Sequence, residues 1–134
     1  MTDTVTPAVK QVVALLREEF PGATVTFVAD ASGGGDVIIE SVDLGPGYSP
    51  RLTWLGGRLN PALPFADIYP LFIAANVTRT DGKAHPQPPI SGGVTFAGRQ
   101  ALQVSRRTNN LMATVEAAAA KFTKVLNFTV ELAA

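Results

Sequence analysis

Cysteine is absent from this chain of 134 residues, and histidine occurs once, at position 85. The first absence excludes disulfides, thiolate zinc sites, Fe–S clusters and every mechanism that runs through a cysteine nucleophile. The second excludes a multi-histidine metal site within one chain, and neither metal nor cofactor is expected. No apolar run approaches the ~18 residues that a membrane span requires. Met1-Thr2-Asp3-Thr4 carries neither the basic nor the apolar region of a signal peptide. The expectation is one cytoplasmic domain, residues 1–134, with no membrane partner; the 46% hydrophobic share is enough for a core.

Net charge is zero and unevenly laid out. Residues 1–50 hold seven acids against Lys10 and Arg17, whereas residues 51–134 hold nine bases against Asp67, Asp81, Glu116 and Glu131. Either the halves pair and cancel, or the second half presents a basic face to an acidic partner. No basic run exceeds Arg106-Arg107.

Thr6, Pro7 and the stop at Pro21-Gly22 bracket a helix whose Val9, Val12, Val13, Leu16 and Phe20 form one apolar stripe. Residues 24–28 and 36–42 read as strands, with the Gly33-Gly34-Gly35 region as the turn of a hairpin. A phosphate cradle would need a helix after those glycines, and a strand follows. A third strand is expected at 51–55, broken by Gly56-Gly57, and a fourth at 71–75. Residues 80–95, with Pro86, Pro88, Pro89, Gly92 and Gly93, read as irregular. A short apolar segment, 100–104, precedes a second helix over 111–130, capped by Asn109 or Asn110. Leu111, Val115, Ala118, Phe122, Val125 and Leu126 form its stripe, and Lys121 and Lys124 complement its dipole. The expected class is α+β: N-terminal helix, four-stranded antiparallel meander, irregular segment, C-terminal helix.

Chemistry finds few footholds. His85 with Asp81 lacks a nucleophile-elbow partner, and a pair of carboxylates for glycoside hydrolysis reduces to Asp67 and Asp81. Nucleic-acid binding would draw on Arg58, Arg79, Arg99, Arg106 and Arg107 with Tyr48 or Trp54. The balanced charge argues against it, and Trp54 reads as core.

Tyr69-Pro70, preceded by Pro64-Phe65-Ala66-Asp67-Ile68, resembles the Tyr-Pro pair of the ubiquitin-conjugating enzyme fold, the superfamily that includes RWD domains. His85-Pro86-Gln87 resembles that family's His-Pro-Asn turn at nearly the family's distance, and Gly92-Gly93-Val94-Thr95 resembles the catalytic-cysteine segment. The phrases Val42–Tyr48, Thr53–Gly56, Arg79–Gly82 and Ser105–Asn109 resemble a divergent, cysteine-less bacterial branch that accompanies ubiquitin-like proteins and their activating enzymes. The resemblance puts Thr95 at the cysteine position and Gln87 at the supporting asparagine, so thioester transfer is impossible.

What the resemblance implies is a non-catalytic binding module for a ubiquitin-like protein or its activating enzyme. It would dock through the sheet face or the 80–110 segment, with Tyr69, Pro70, Arg79, Arg99, Arg106, Arg107 and Asn109 as binding candidates. The alternative is a transferase carrying a ubiquitin-like protein as an oxyester on Thr95 or Ser105, with His85 or Asp81 as base. Each residue also has a plainer reading. Tyr69-Pro70 can be a packed turn, His85 a loop anchor, and Arg106 and Arg107 solvated or a carboxylate clamp.

Overall fold

A computed structural model describes residues 4–134; the expectation drawn from Met1 to Asp3 lies outside them. Ten elements follow one another: α1 (Pro7–Glu19), β1 (Val25–Ala29), β2 (Gly35–Asp43), β3 (Tyr48–Ser49), β4 (Leu52–Leu59), β5 (Leu71–Ala74), β6 (Thr78–Arg79), β7 (Ile90–Phe96), β8 (Arg99–Val104) and α2 (Val115–Leu132). The class is α+β, with an antiparallel sheet lying between an N-terminal and a C-terminal helix along the chain.

Helix α1 forms as its sequence dictates. The Thr6 hydroxyl accepts from the Val9 amide at 3.2 Å, Pro7 occupies the first turn, and Val9, Val12, Val13 and Leu16 are buried. The β1–β2 hairpin is tightened by Asp30, whose carboxylate accepts from the Ser32 amide at 2.8 Å, with Gly33 at φ +100°. Hydrogen bonds from Ser32 and Arg58 hold the Asp30 carboxyl down at about 2.

The expected meander is present as β1-β2-β4-β5, but the sheet does not stop there. Its order is β1-β2-β4-β5-β8-β7, six strands, and β3 pairs with β6 in a separate ribbon. The segment read as irregular therefore contains β7, which pairs with β8 from Ile90↔Val104 to Phe96↔Arg99. Gly92 and Gly93, read as turn residues, lie in an irregularity inside β7, where the register shifts between Ser91 and Val94 and Gly93 takes φ +74°. Similarly, β4 runs through Gly56-Gly57 instead of breaking. A Cβ on Gly56 would lie 2.6 Å from the Phe96 ring, and one on Gly57 would lie 3.0 Å from Phe122. The two glycines face opposite sides of the strand and admit an aromatic ring on each.

Both helices cover one face of the sheet. Val37, Ile39, Leu55, Leu59, Leu71, Ile73 and Val104 meet α1 and the Phe122–Val125 stripe of α2 in the main core. Ile38, Trp54, Phe96 and Ala101 form a smaller cluster on the other face, with Phe72 stacked on Phe96 at 4.6 Å. Trp54 is core, as expected.

The second helix starts later than expected. Thr114, not Asn109 or Asn110, caps it by accepting from the Ala117 amide at 3.1 Å. Leu111 therefore lies outside the helical stripe and is 41% exposed, beside Met112 at 67%. No helix among the described residues is long and apolar enough to cross a membrane.

Candidate functional site

The charged side chains decide where a site can lie. Four second-half bases are bound to carboxylates. Arg51 meets Asp43 at 2.7 Å, Arg58 meets Asp30 at 2.5 Å, Arg79 meets Asp81 at 2.6 Å and Arg99 meets Glu40 at 2.7 Å. Arg79 also donates to the Leu132 carbonyl at 3.1 Å, tying β6 to the end of α2, and Arg99 stacks over Trp54. Among the described residues, Arg106, Arg107 and Lys124 have no carboxylate within ion-pair distance. Arg51, Arg58 and Arg99 pair with first-half carboxylates, and Arg106, Arg107 and Lys124 line one groove.

That groove is held in place by a buried ion pair. Lys121, on α2, is only 5% exposed. Its ammonium donates to Asp67 at 3.0 and 3.2 Å, to Thr108 Oγ1 at 2.7 Å and to the Arg106 carbonyl at 2.6 Å. Asp67 in turn accepts from the Thr108 amide and hydroxyl, both at 2.8 Å. Burial pushes the Asp67 carboxyl up; the Thr108 hydrogen bonds and the Lys121 ammonium outweigh it, leaving the group below its ordinary value. Three stretches of chain, the 64–68 strap, the 106–108 strap and α2, are thus fastened at one point.

Arg106 and Arg107 project from that fastened strap. The Arg107 guanidinium lies 4.1 Å from the centroid of the Tyr69 ring, and that of Arg106 lies 4.7 Å from the Phe128 ring. Each arginine uses an aromatic face as a platform, which limits its rotamer freedom while its in-plane N–H groups stay available. A shallow groove lined by Arg106, Arg107, Asn109, Lys124, Phe128 and Glu131 runs along this surface. Pro88, Pro89 and Ser105 border its far side. A neighbouring cleft of about 120 Å³ shares Thr108, Asn109, Lys121 and Lys124 with the groove and is walled by Pro64, Ile68, Leu111, Met112 and Ala118.

The sequence candidates divide accordingly. Tyr69, Arg106, Arg107 and Asn109 come together in or beside the groove, with Pro70 following Tyr69 into β5. Arg79 and Arg99 do not join them; each is held by its own carboxylate. His85 serves as a loop anchor, with Nε2 2.8 Å from the Val77 carbonyl and its ring stacked on Tyr48. Asp81 is turned to Arg79 and to the Lys83 amide, and the pairing with Arg79 keeps its carboxyl below the ordinary value. Thr95 is exposed opposite Gln100 near the end of the β7–β8 hairpin, and its hydroxyl has no hydrogen bond to any described histidine or carboxylate. The Ser105 hydroxyl accepts from Gln103 at 3.1 Å. Among the described residues, neither hydroxyl is hydrogen-bonded to a histidine or a carboxylate. Asp67, Asp81 and His85 do not converge, since the cleft contains Asp67 alone of the three.

The residues missed from the sequence are Lys121, Thr108 and Phe128. A signal for Lys121 existed: it falls at helical spacing between Ala118 and Val125, inside the apolar stripe, where a lysine needs a partner.

Fold and site together define an α+β protein with a preformed cationic surface beside an apolar cleft. No family model matches the chain, and neither a curated protein nor a solved structure matches it.

Proposed function

We propose that the chain is a non-catalytic binding module, of conjugating-enzyme-like descent, that docks a ubiquitin-like protein or its activating enzyme in a bacterial modification pathway. The observation that carries the docking role is the pair of platform-held arginines. Arg106 on Phe128 and Arg107 on Tyr69 are exposed, lack a carboxylate of their own among the described residues, and are anchored from behind by Lys121. A surface already ordered loses little entropy when a partner binds, and the adjoining Pro88-Pro89 segment adds to that economy. The resemblance at Tyr69-Pro70 and His85-Pro86 supplies the class of partner. Among the described residues, the absence of a histidine or carboxylate hydrogen-bonded to the Thr95 or Ser105 hydroxyl favours docking over ester transfer.

The test is to incubate the protein with a ubiquitin-like protein, its activating enzyme and ATP, and to divide the mixture between a sizing column and a gel without reductant. Co-elution without an adduct is expected. A hydroxylamine-sensitive adduct lost in Thr95→Ala or Ser105→Ala would replace the binding role by transferase activity.

A further inference from the structure

The cleft beside the arginine groove has an unusual division of labour. Of the polar groups that line it, Asp67, Thr108 and Lys121 satisfy one another, so nothing at that end calls for a polar ligand, and Asn109, Asn110 and Lys124 complete the polar lining. Pro64, Ala66, Ile68, Ala117 and Ala118 give it an apolar wall, and Leu111 and Met112 add exposed apolar side chains, 41% and 67% exposed. A dry cavity of about 150 Å³ holds a benzene-sized group, so about 120 Å³ suits one aliphatic side chain. Lys124 and Asn109 belong to both the cleft and the groove, so the two form one path across the surface. Along the groove, Arg106, Arg107 and Lys124 outnumber the single carboxylate of Glu131. Asp67 adds little repulsion because Lys121 faces it directly.

We propose that this surface takes an extended acidic segment of a partner protein, with carboxylates over Arg106 and Arg107 and one aliphatic side chain in the Leu111–Met112 cleft. The inference rests on the docking role and names what the docked element must look like. A guanidinium held over a ring keeps N–H groups that can meet a carboxylate with two parallel hydrogen bonds. An apolar anchor next to a charged run fixes the register that charges alone would leave loose. A nucleic acid fits less well: Tyr69 and Phe128 each give a face to an arginine and are not free stacking platforms.

The test uses fluorescence anisotropy on the full chain with a labelled synthetic peptide. The peptide carries consecutive Asp and Glu residues, followed a few positions later by Leu. Its controls replace the acids by Asn and Gln, or the Leu by Ser. The double variant R106Q/R107Q alters only exposed ends, and Ala117→Leu fills the cleft from α2. The acidic peptide should bind in a salt-sensitive way, and either R106Q/R107Q or the amide control should lose about tenfold, the effect of two partly desolvated charge contacts. The Leu-to-Ser control should lose several-fold on the natural chain and nothing further on Ala117→Leu. Equal binding of acidic and amide peptides, no binding, or binding indifferent to R106Q/R107Q would overturn the inference. So would sedimentation showing the surface covered by a second copy that R106Q/R107Q releases. Co-elution of a ubiquitin-like protein that survives R106Q/R107Q would overturn the inference and the arginine surface as the contact, and leave docking to another surface of the chain. Peptide binding without such co-elution would support the inference and remove that partner.

Discussion

Replacing Lys121 by Met should destabilise the protein by about 2–3 kcal/mol, and the reasoning follows from the contacts. Met keeps most of the aliphatic stem, so packing against α2's neighbours changes little. What disappears is the ammonium of a residue that is 5% exposed, bonded to both Asp67 oxygens, to Thr108 Oγ1 and to the Arg106 carbonyl. Breaking a fully buried pair by removing one partner costs about 3–5 kcal/mol, because the other charge is left uncompensated. Here the Asp67 side chain is 23% exposed and keeps both Thr108 hydrogen bonds, so water and those donors recover part of the loss. With a urea slope of about 1–3 kcal/mol/M, the midpoint should fall by about 1 M or somewhat more. Far-ultraviolet circular dichroism during urea titration reads it, and fluorescence of the single tryptophan, Trp54, checks that the transition is two-state. Asp67→Asn with Lys121→Met should cost less than the two singles added, since each single leaves a stranded partner. A midpoint shift below about 0.3 M, or strict additivity, would refute the claim that this pair fastens the straps.

Other outcomes follow from the same contacts. The Asp67 carboxyl titrates below its ordinary value in the folded chain. Its contribution is therefore complete above the unfolded value of about 3.9 and is lost as pH falls through the folded one. Asp67→Asn should flatten the acid limb of stability against pH, measured by urea midpoints across that range. Gly56→Ala should cost about 1–3 kcal/mol by driving a methyl into the Phe96 ring, whereas Gly22→Ala, with nothing within 4 Å, should change the urea midpoint little. Tyr48→Phe should cost about 1–2 kcal/mol in thermal or urea unfolding, because the buried Thr129 carbonyl loses the hydroxyl that donates to it at 2.5 Å. Thr95→Ala should leave both stability and partner co-elution unchanged.

How much of this was legible in the sequence depended on the range of the interactions. Helix α1 was readable because its cap, its proline and its stripe lie within a few residues of one another. Strands β1, β2 and β5 and the first half of β4 were readable for the same reason, from alternation and turn residues, whereas the two-residue β3 and β6 were not. Strands β7 and β8 were missed because Gly92-Gly93 and the prolines before them look like punctuation, and only pairing with the rest of the sheet makes Ile90–Phe96 a strand. The start of α2 was misplaced because Asn110, a plausible cap, takes φ +55° instead, and Thr114 does the capping. The site was half legible. Arg106, Arg107, Tyr69 and Asn109 carried signals in short motifs, but what holds them is Lys121 reaching Asp67 across 54 residues of sequence. Local pattern cannot report such a pair, and a helical lysine reads by default as solvated. The six-stranded sheet extends beyond the four-stranded meander that the resemblance implied.

The most direct test of the docking role is size-exclusion co-elution of the full chain with a ubiquitin-like protein and its activating enzyme, alongside R106Q/R107Q. The account predicts co-elution of the natural chain with one of them, no covalent adduct, and loss of co-elution in the double variant. Absence of co-elution at micromolar concentrations, or an adduct that hydroxylamine removes, would contradict it.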